Sequence, residues 1–85
     1  MGLKLIVRSK MDLQTVLRIL NLLRRVRHAL PISSLLIRCC NGVVLTEAIF
    51  KARNPGLNRV KTVLHRISQL PGVLEVRVVE EGEDG

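Results

Sequence analysis

The chain has 85 residues, enough for one domain and too few for two. Hydrophobic residues make up 47% of it, yet Phe50 is the sole aromatic, so the core has to be built from Leu, Val, Ile and Ala. No apolar run reaches the roughly 18 residues that a membrane-spanning helix needs, and no apolar leader precedes the first strand, so a soluble cytoplasmic protein is expected.

Charge is unevenly placed. The chain carries 14 Lys and Arg against 7 Asp and Glu, a net charge of +7. Residues 1–30 hold seven basic groups and one acid, Asp12, whereas residues 73–85 hold five acids and only Arg77. This predicts a domain over residues 1–80 and a flexible acidic tail at 81–85. Cys39 and Cys40 are adjacent; neighbours on a strand point to opposite faces, so reduced thiols are expected in place of a disulfide.

The apolar period changes six times along the chain. Leu3 to Arg8 is short and branched and reads as a strand. Ser9-Lys10-Met11-Asp12 has the form of a capping box, with Ser9 or Asp12 receiving the first helical amides. From Leu13 to Leu30 neither Gly nor Pro interrupts a helical pattern. Gln14, Arg18, Asn21, Arg25 and His28 form its polar stripe. Leu13, Val16, Leu20, Leu23 and Leu30 lie opposite, widened by Leu17, Ile19 and Val26. Pro31 stops the helix.

Ile32–Cys40 and Val43–Ala52 flank Asn41-Gly42, a strong signal for a two-residue hairpin. A two-residue loop sets Cys39 against Val44, Ile37 against Thr46, Leu35 against Ala48 and Ser33 against Phe50. Arg38 then faces Leu45 on the other side, which also carries Ile6, Leu36, Val43 and Ile49. Asn54 and Pro55 are placed to open a second helix, with Leu57, Val60, Val63, Leu64 and Ile67 as its apolar stripe and Pro71-Gly72 as its stop. Val73–Val79 reads as the last strand, with Leu74, Val76 and Val78 on one face and Glu75 and Arg77 on the other. The order βαββαβ with short connections predicts an α+β ferredoxin-like sandwich: one four-stranded antiparallel sheet, both helices on one face.

Chemistry is sparse on this frame. The sequence holds none of the common hydrolase, metalloprotease or phosphate-loop motifs, and no catalytic residue, metal site or cofactor is expected. Ser33 and Ser34 read as small strand residues, and His28 and His65 as solvated helix residues. Nucleic acid is an alternative partner, through the arginines of the first helix; base stacking is disfavoured because Phe50 is expected on the helix-covered side.

Residues 60–76, VKTVLHRISQLPGVLEV, resemble the second half of an ACT domain, where a helix turns through a Leu-Pro-Gly-Val-like step into the last strand. The helix from Leu13 to His28 leading into Ile32-Ser33-Ser34-Leu35 is similar to the short regulatory subunits of acetolactate synthase. The resemblance covers residues 3–80 and is carried by the order and spacing of elements more than by any one motif. It implies a non-enzymatic regulatory module that forms a homodimer or higher oligomer, either edge to edge through second strands or sheet on sheet. It also implies an amino-acid effector at the interface and the catalytic subunit of a biosynthetic enzyme as partner. Carried over by position, the effector site is Ser9, Lys10, Met11, Asp12 and Leu13, completed by Ile32, Ser33 and Ser34 of a neighbour. Free amides at a helix start suit a carboxylate, and Asp12 suits an amino group. The chain departs from the family pattern in lacking glycines at Met11-Asp12-Leu13 and at His28-Ala29-Leu30-Pro31, which removes close backbone approach to a ligand. A capped helix start without a ligand is the competing reading of residues 9–13.

Overall fold

A computed structural model describes residues 2–26, 31–50 and 56–81. The elements are β1 (Gly2–Lys10), α1 (Leu13–Val26), β2 (Ile32–Cys40), β3 (Val43–Phe50), α2 (Gly56–Ser68) and β4 (Val73–Glu81). The strands form one antiparallel sheet in the order β2-β3-β1-β4. This is the expected ferredoxin-like sandwich, and its order leaves β2 and β4 as edges.

Alternation along the strands builds the core. Leu3, Leu5 and Val7 of β1 and Ala48 and Phe50 of β3 point to one face. There they meet Ile19 and Leu23 of α1 and Val60, Val63 and Ile67 of α2, all buried. Both helices therefore cover the same face. Phe50 is fully buried among these aliphatic side chains. The opposite face is open and carries Ile6, Leu45, Ile49 and Val43, all half-buried, with Leu36 exposed at its edge.

The hairpin forms as expected: Asn41 and Gly42 take φ of 53° and 75°, the pair of positive values that a tight two-residue turn between twisted strands requires. Its register matches from Ser34 to Cys40 but slips at Ser33. Ile32 pairs with Phe50 and Ser34 with Ile49, so Ser33 is a bulge residue and does not face Phe50. A second bulge displaces Leu74: Arg8 pairs with Glu75 and Ser9 with Val73. Leu74 drops out of the alternation and is exposed, while Val76 and Val78 pack on the core as expected.

Two further expectations are resolved: of the two cap candidates Asp12 is the one at the helix start, and the buried stripe of α1 differs from the expected one. Ser9 does not cap α1. It lies within β1, which runs two residues further than its apolar pattern because Ser9 and Lys10 still find ladder partners in Val44 and Val43. The buried stripe of α1 is also rotated from the expected one: Thr15, Ile19 and Leu23 are buried, whereas Leu13 is 73% exposed and Leu17 is exposed. The apolar arc is wider than the sheet can cover, and contact with α2 and with the turn before β4 holds the helix on its Thr15 side. The expected helical residues 27–30, the second-helix start at Asn54-Pro55, the third-strand extension to Ala52 and tail residues 82–85 lie outside the described residues.

Candidate functional site

The expected effector site divides into two groups at opposite ends of the sheet. Ser9 to Leu13 occupy the end where β1 delivers the chain into α1, beside the β3 start at Val43. Ile32 to Ser34 begin β2, beside Phe50, which pairs with Leu3 at the far end of β1. Leu3 and Lys10 are seven steps apart along the strand, so within one chain the groups are about 23 Å apart.

Hydrogen bonds fix the first group. The Lys10 amide donates to the Gly72 carbonyl at 2.9 Å, tying the end of β1 to the turn before β4. The Asp12 amide donates to the Lys10 carbonyl at 2.8 Å, closing a tight turn around exposed Met11. Asp12 is the cap: its carbonyl accepts from the Val16 amide at 3.1 Å, and its carboxylate oxygen Oδ2 accepts from the Thr15 hydroxyl at 2.9 Å. Its negative charge complements the positive end of the α1 dipole. Lys10 and Leu13 are exposed beside it.

Beneath this helix start the sheet is unexpectedly polar. Ser9 and Thr46 are buried on the helix-covered side, and neither Ser9 Oγ nor Thr46 Oγ1 has a hydrogen-bond partner. Val44 faces Ser9 and Thr46 faces Val7, which makes Ser9 and Thr46 diagonal neighbours across β1 and β3. Leaving a buried hydroxyl unsatisfied costs about 1–3 kcal/mol. Thr46 was not among the expected site residues; the signal for it was present, since the Asn41-Gly42 register places a Thr on the inward face.

The second group is simpler. Ile32 is half-buried, whereas Ser33 and Ser34 are exposed, and the Ser33 hydroxyl donates to the Ile49 carbonyl at 3.1 Å. From Ser33 to Cys40 every residue of β2 is exposed. Leu35 and Ile37 point to the helix side at 46% and 41% exposure, and Leu36 to the open side at 47%. Cys39 and Cys40 are exposed free thiols on opposite faces.

Ion pairs organise the open face. Glu47 accepts from Arg38 at 2.7 Å and lies 3.2 Å from Lys4 Nζ, while Glu75 pairs with Arg8 at 3.0 Å and approaches Arg77 at 3.8 Å. The Arg38 and Lys4 hydrogen bonds hold the Glu47 carboxyl below its ordinary value, against a smaller opposing effect of desolvation. Between these clusters lies a recess of about 270 Å³ with Ile6 and Leu45 as its apolar floor. Among the described residues no group of His, Cys, Asp and Glu could hold a metal ion, and no helix is long and apolar enough to cross a membrane.

No protein-family model matches the sequence, and no curated protein does. Solved structures match the fold. The ACT domain of GTP pyrophosphokinase from Chlorobium tepidum superposes with a TM-score of 0.78 at 10% identity, covering 92% of this chain and 96% of that one. The C-terminal domain of the MgtC protein from Mycobacterium tuberculosis gives 0.74 at 10% identity, over 92% and 84% of the two chains. A formyltetrahydrofolate deformylase from Pseudomonas putida KT2440 gives 0.64 at 10% identity; 95% of this chain matches 29% of that one. At such identities the likeness establishes the fold: a ferredoxin-like sandwich of the form found in an ACT domain.

Proposed function

We propose that this chain is a small regulatory module of the ACT class that pairs with a second copy through β2 and takes an amino acid at the interface. The observation that carries the reading is β2 itself. It is an edge strand nine residues long, with Leu35, Leu36 and Ile37 exposed in succession at its middle. A long apolar edge is a template for strand addition, and none of these three residues carries the charge that would discourage it. Antiparallel addition of a second β2 about a two-fold axis joins two four-stranded sheets into one of eight.

The same pairing addresses the separation of the two residue groups. When two β2 strands run antiparallel, the start of one lies beside the end of the other. Ile32, Ser33 and Ser34 of the partner then come to the end of the sheet that holds Ser9 to Leu13. An amino acid there would find the free amides of the first turn of α1 for its carboxylate and exposed Asp12 for its ammonium group. Lys10 adds a mobile positive charge beside the carboxylate. Regulation of a biosynthetic enzyme, as a unit similar to the small subunit of acetolactate synthase, is the role this arrangement suits. Matches to a domain of GTP pyrophosphokinase and to part of formyltetrahydrofolate deformylase support it, because there too the fold belongs to an enzyme's chain.

Thermal-shift measurement against the twenty amino acids tests the ligand. The reading expects a rise in melting temperature with a restricted set, branched-chain residues included, and loss of that rise in Asp12→Ala. A flat response to all twenty contradicts amino-acid binding.

A further inference from the structure

We propose that the outer surface of the two helices binds the phosphate backbone of a nucleic-acid duplex, without sequence preference. The observation is a segregation of charge between the two sides of the sheet. On the open side, Glu47 and Glu75 are matched by Lys4, Arg8, Arg38 and Arg77 in ion pairs. On the helix side neither α1 nor α2 contains an acidic residue. Arg18, Arg24 and Arg25 of α1 and Arg59, Lys61 and Arg66 of α2 are all exposed, and none forms an ion pair with another described residue.

Sequence alone shows these cations scattered through two distant segments. The fold brings them together, because both helices lie on one face and bury their apolar stripes in the same core. Within α1, Arg18 and Arg25 are two turns apart on one side, and Arg24 lies within a third of a turn of that line. The result is a layer of cations without a carboxylate partner among the described residues, whereas the four open-face cations share the two carboxylates of Glu47 and Glu75.

Three features favour a phosphate backbone as the occupant. Five of the six cations are arginines, whose planar fork matches phosphate oxygens. A duplex carries one negative charge per about 1.7 Å of its axis, so a spread of cations finds partners in many registers. The chain's one aromatic, Phe50, is fully buried. The surface therefore has neither a ring on which to stack unpaired bases nor an aromatic anchor of the kind that dominates protein interfaces.

The test is fluorescence anisotropy of a labelled 25-base-pair DNA duplex of arbitrary sequence, titrated with the intact protein between 50 and 200 mM NaCl. The logarithm of the association constant should fall linearly with the logarithm of salt concentration, and a second duplex of unrelated sequence should bind equally. Arg18→Gln, Arg25→Gln and Arg66→Gln should each reduce the slope by about one, and together they should weaken binding at 50 mM at least about tenfold. Arg77→Gln, on the opposite face, should leave affinity within about twofold. The single variants keep the result readable if the triple one fails to fold. Absence of binding at 50 mM overturns the proposal. So does an equal loss in Arg77→Gln, which would show a response to net charge alone, and so does tighter binding to polyglutamate or to phosphatidylserine vesicles than to the duplex.

Discussion

The Thr15 side chain fills the space that a Cβ on Gly72 would need, so the first turn of α1 rests directly on the turn into β4. Gly72 has a φ of +89°, its carbonyl accepts from the Lys10 amide, and Thr15 contacts the preceding Pro71 carbonyl at 3.4 Å. The end of β1, the first turn of α1 and the turn into β4 meet there, leaving no room for a methyl group. Gly42 also has a positive φ, +75°, but open space around it. Gly42→Ala should cost about 1–2 kcal/mol from the backbone conformation alone. Gly72→Ala should cost more, about 3 kcal/mol, because steric displacement of Thr15 adds to the same backbone penalty. Urea denaturation of the two variants reads the difference.

The buried hydroxyls of Ser9 and Thr46 give a second expectation. Thr46→Val keeps the shape and removes an unsatisfied polar atom, so it should raise stability by about 1–2 kcal/mol. Ser9→Ala should do the same to a smaller extent. Loss of stability in Thr46→Val would mean that its hydroxyl is satisfied in solution.

Much of this architecture is legible in the sequence because local signals agree with one another. Asn41-Gly42 sets the hairpin, Pro71-Gly72 stops α2, and the alternation of Leu3, Leu5 and Val7 marks one buried face. The failures fall where long-range contacts override a local pattern. Ser9 has the composition of a cap, yet strand pairing with Val44 and Val73 claims it. Leu13 and Leu17 belong to an apolar arc too wide for one core, and the placement of α2 and of the turn before β4 decides which part is buried. The bulges at Ser33 and Leu74 follow no residue signal, since each depends on where a partner strand begins. The two residue groups of the expected effector site can be named from the sequence, whereas their placement at opposite ends of the sheet needed the strand order.

Glu47 supplies a pH dependence. Its folded-state pKa lies below the ordinary 4.5 because Arg38 and Lys4 hydrogen-bond its charged form. A depressed carboxyl stabilises the fold above its unfolded pKa, and that contribution is lost as pH falls through the folded value. Wild type should therefore exceed Glu47→Gln in melting temperature at pH 7, and the gap should close below about pH 4.5. A gap that stays constant from pH 7 to pH 3 would show that the ion pairs with Arg38 and Lys4 contribute nothing in solution.

Pairing through β2 is the central claim, since both the completed site and the covered apolar edge depend on it. Sedimentation equilibrium at micromolar concentration addresses it most directly, run on the wild type and on Ile37→Lys. Ile37 is exposed on the edge strand, so a lysine there leaves the monomer intact while opposing strand addition. Pairing through β2 predicts a wild-type mass of twice the 9.5 kDa chain, or a higher even multiple of it, and a smaller mass for Ile37→Lys. A wild-type mass of 9.5 kDa, or an oligomer unchanged by the lysine, would contradict it.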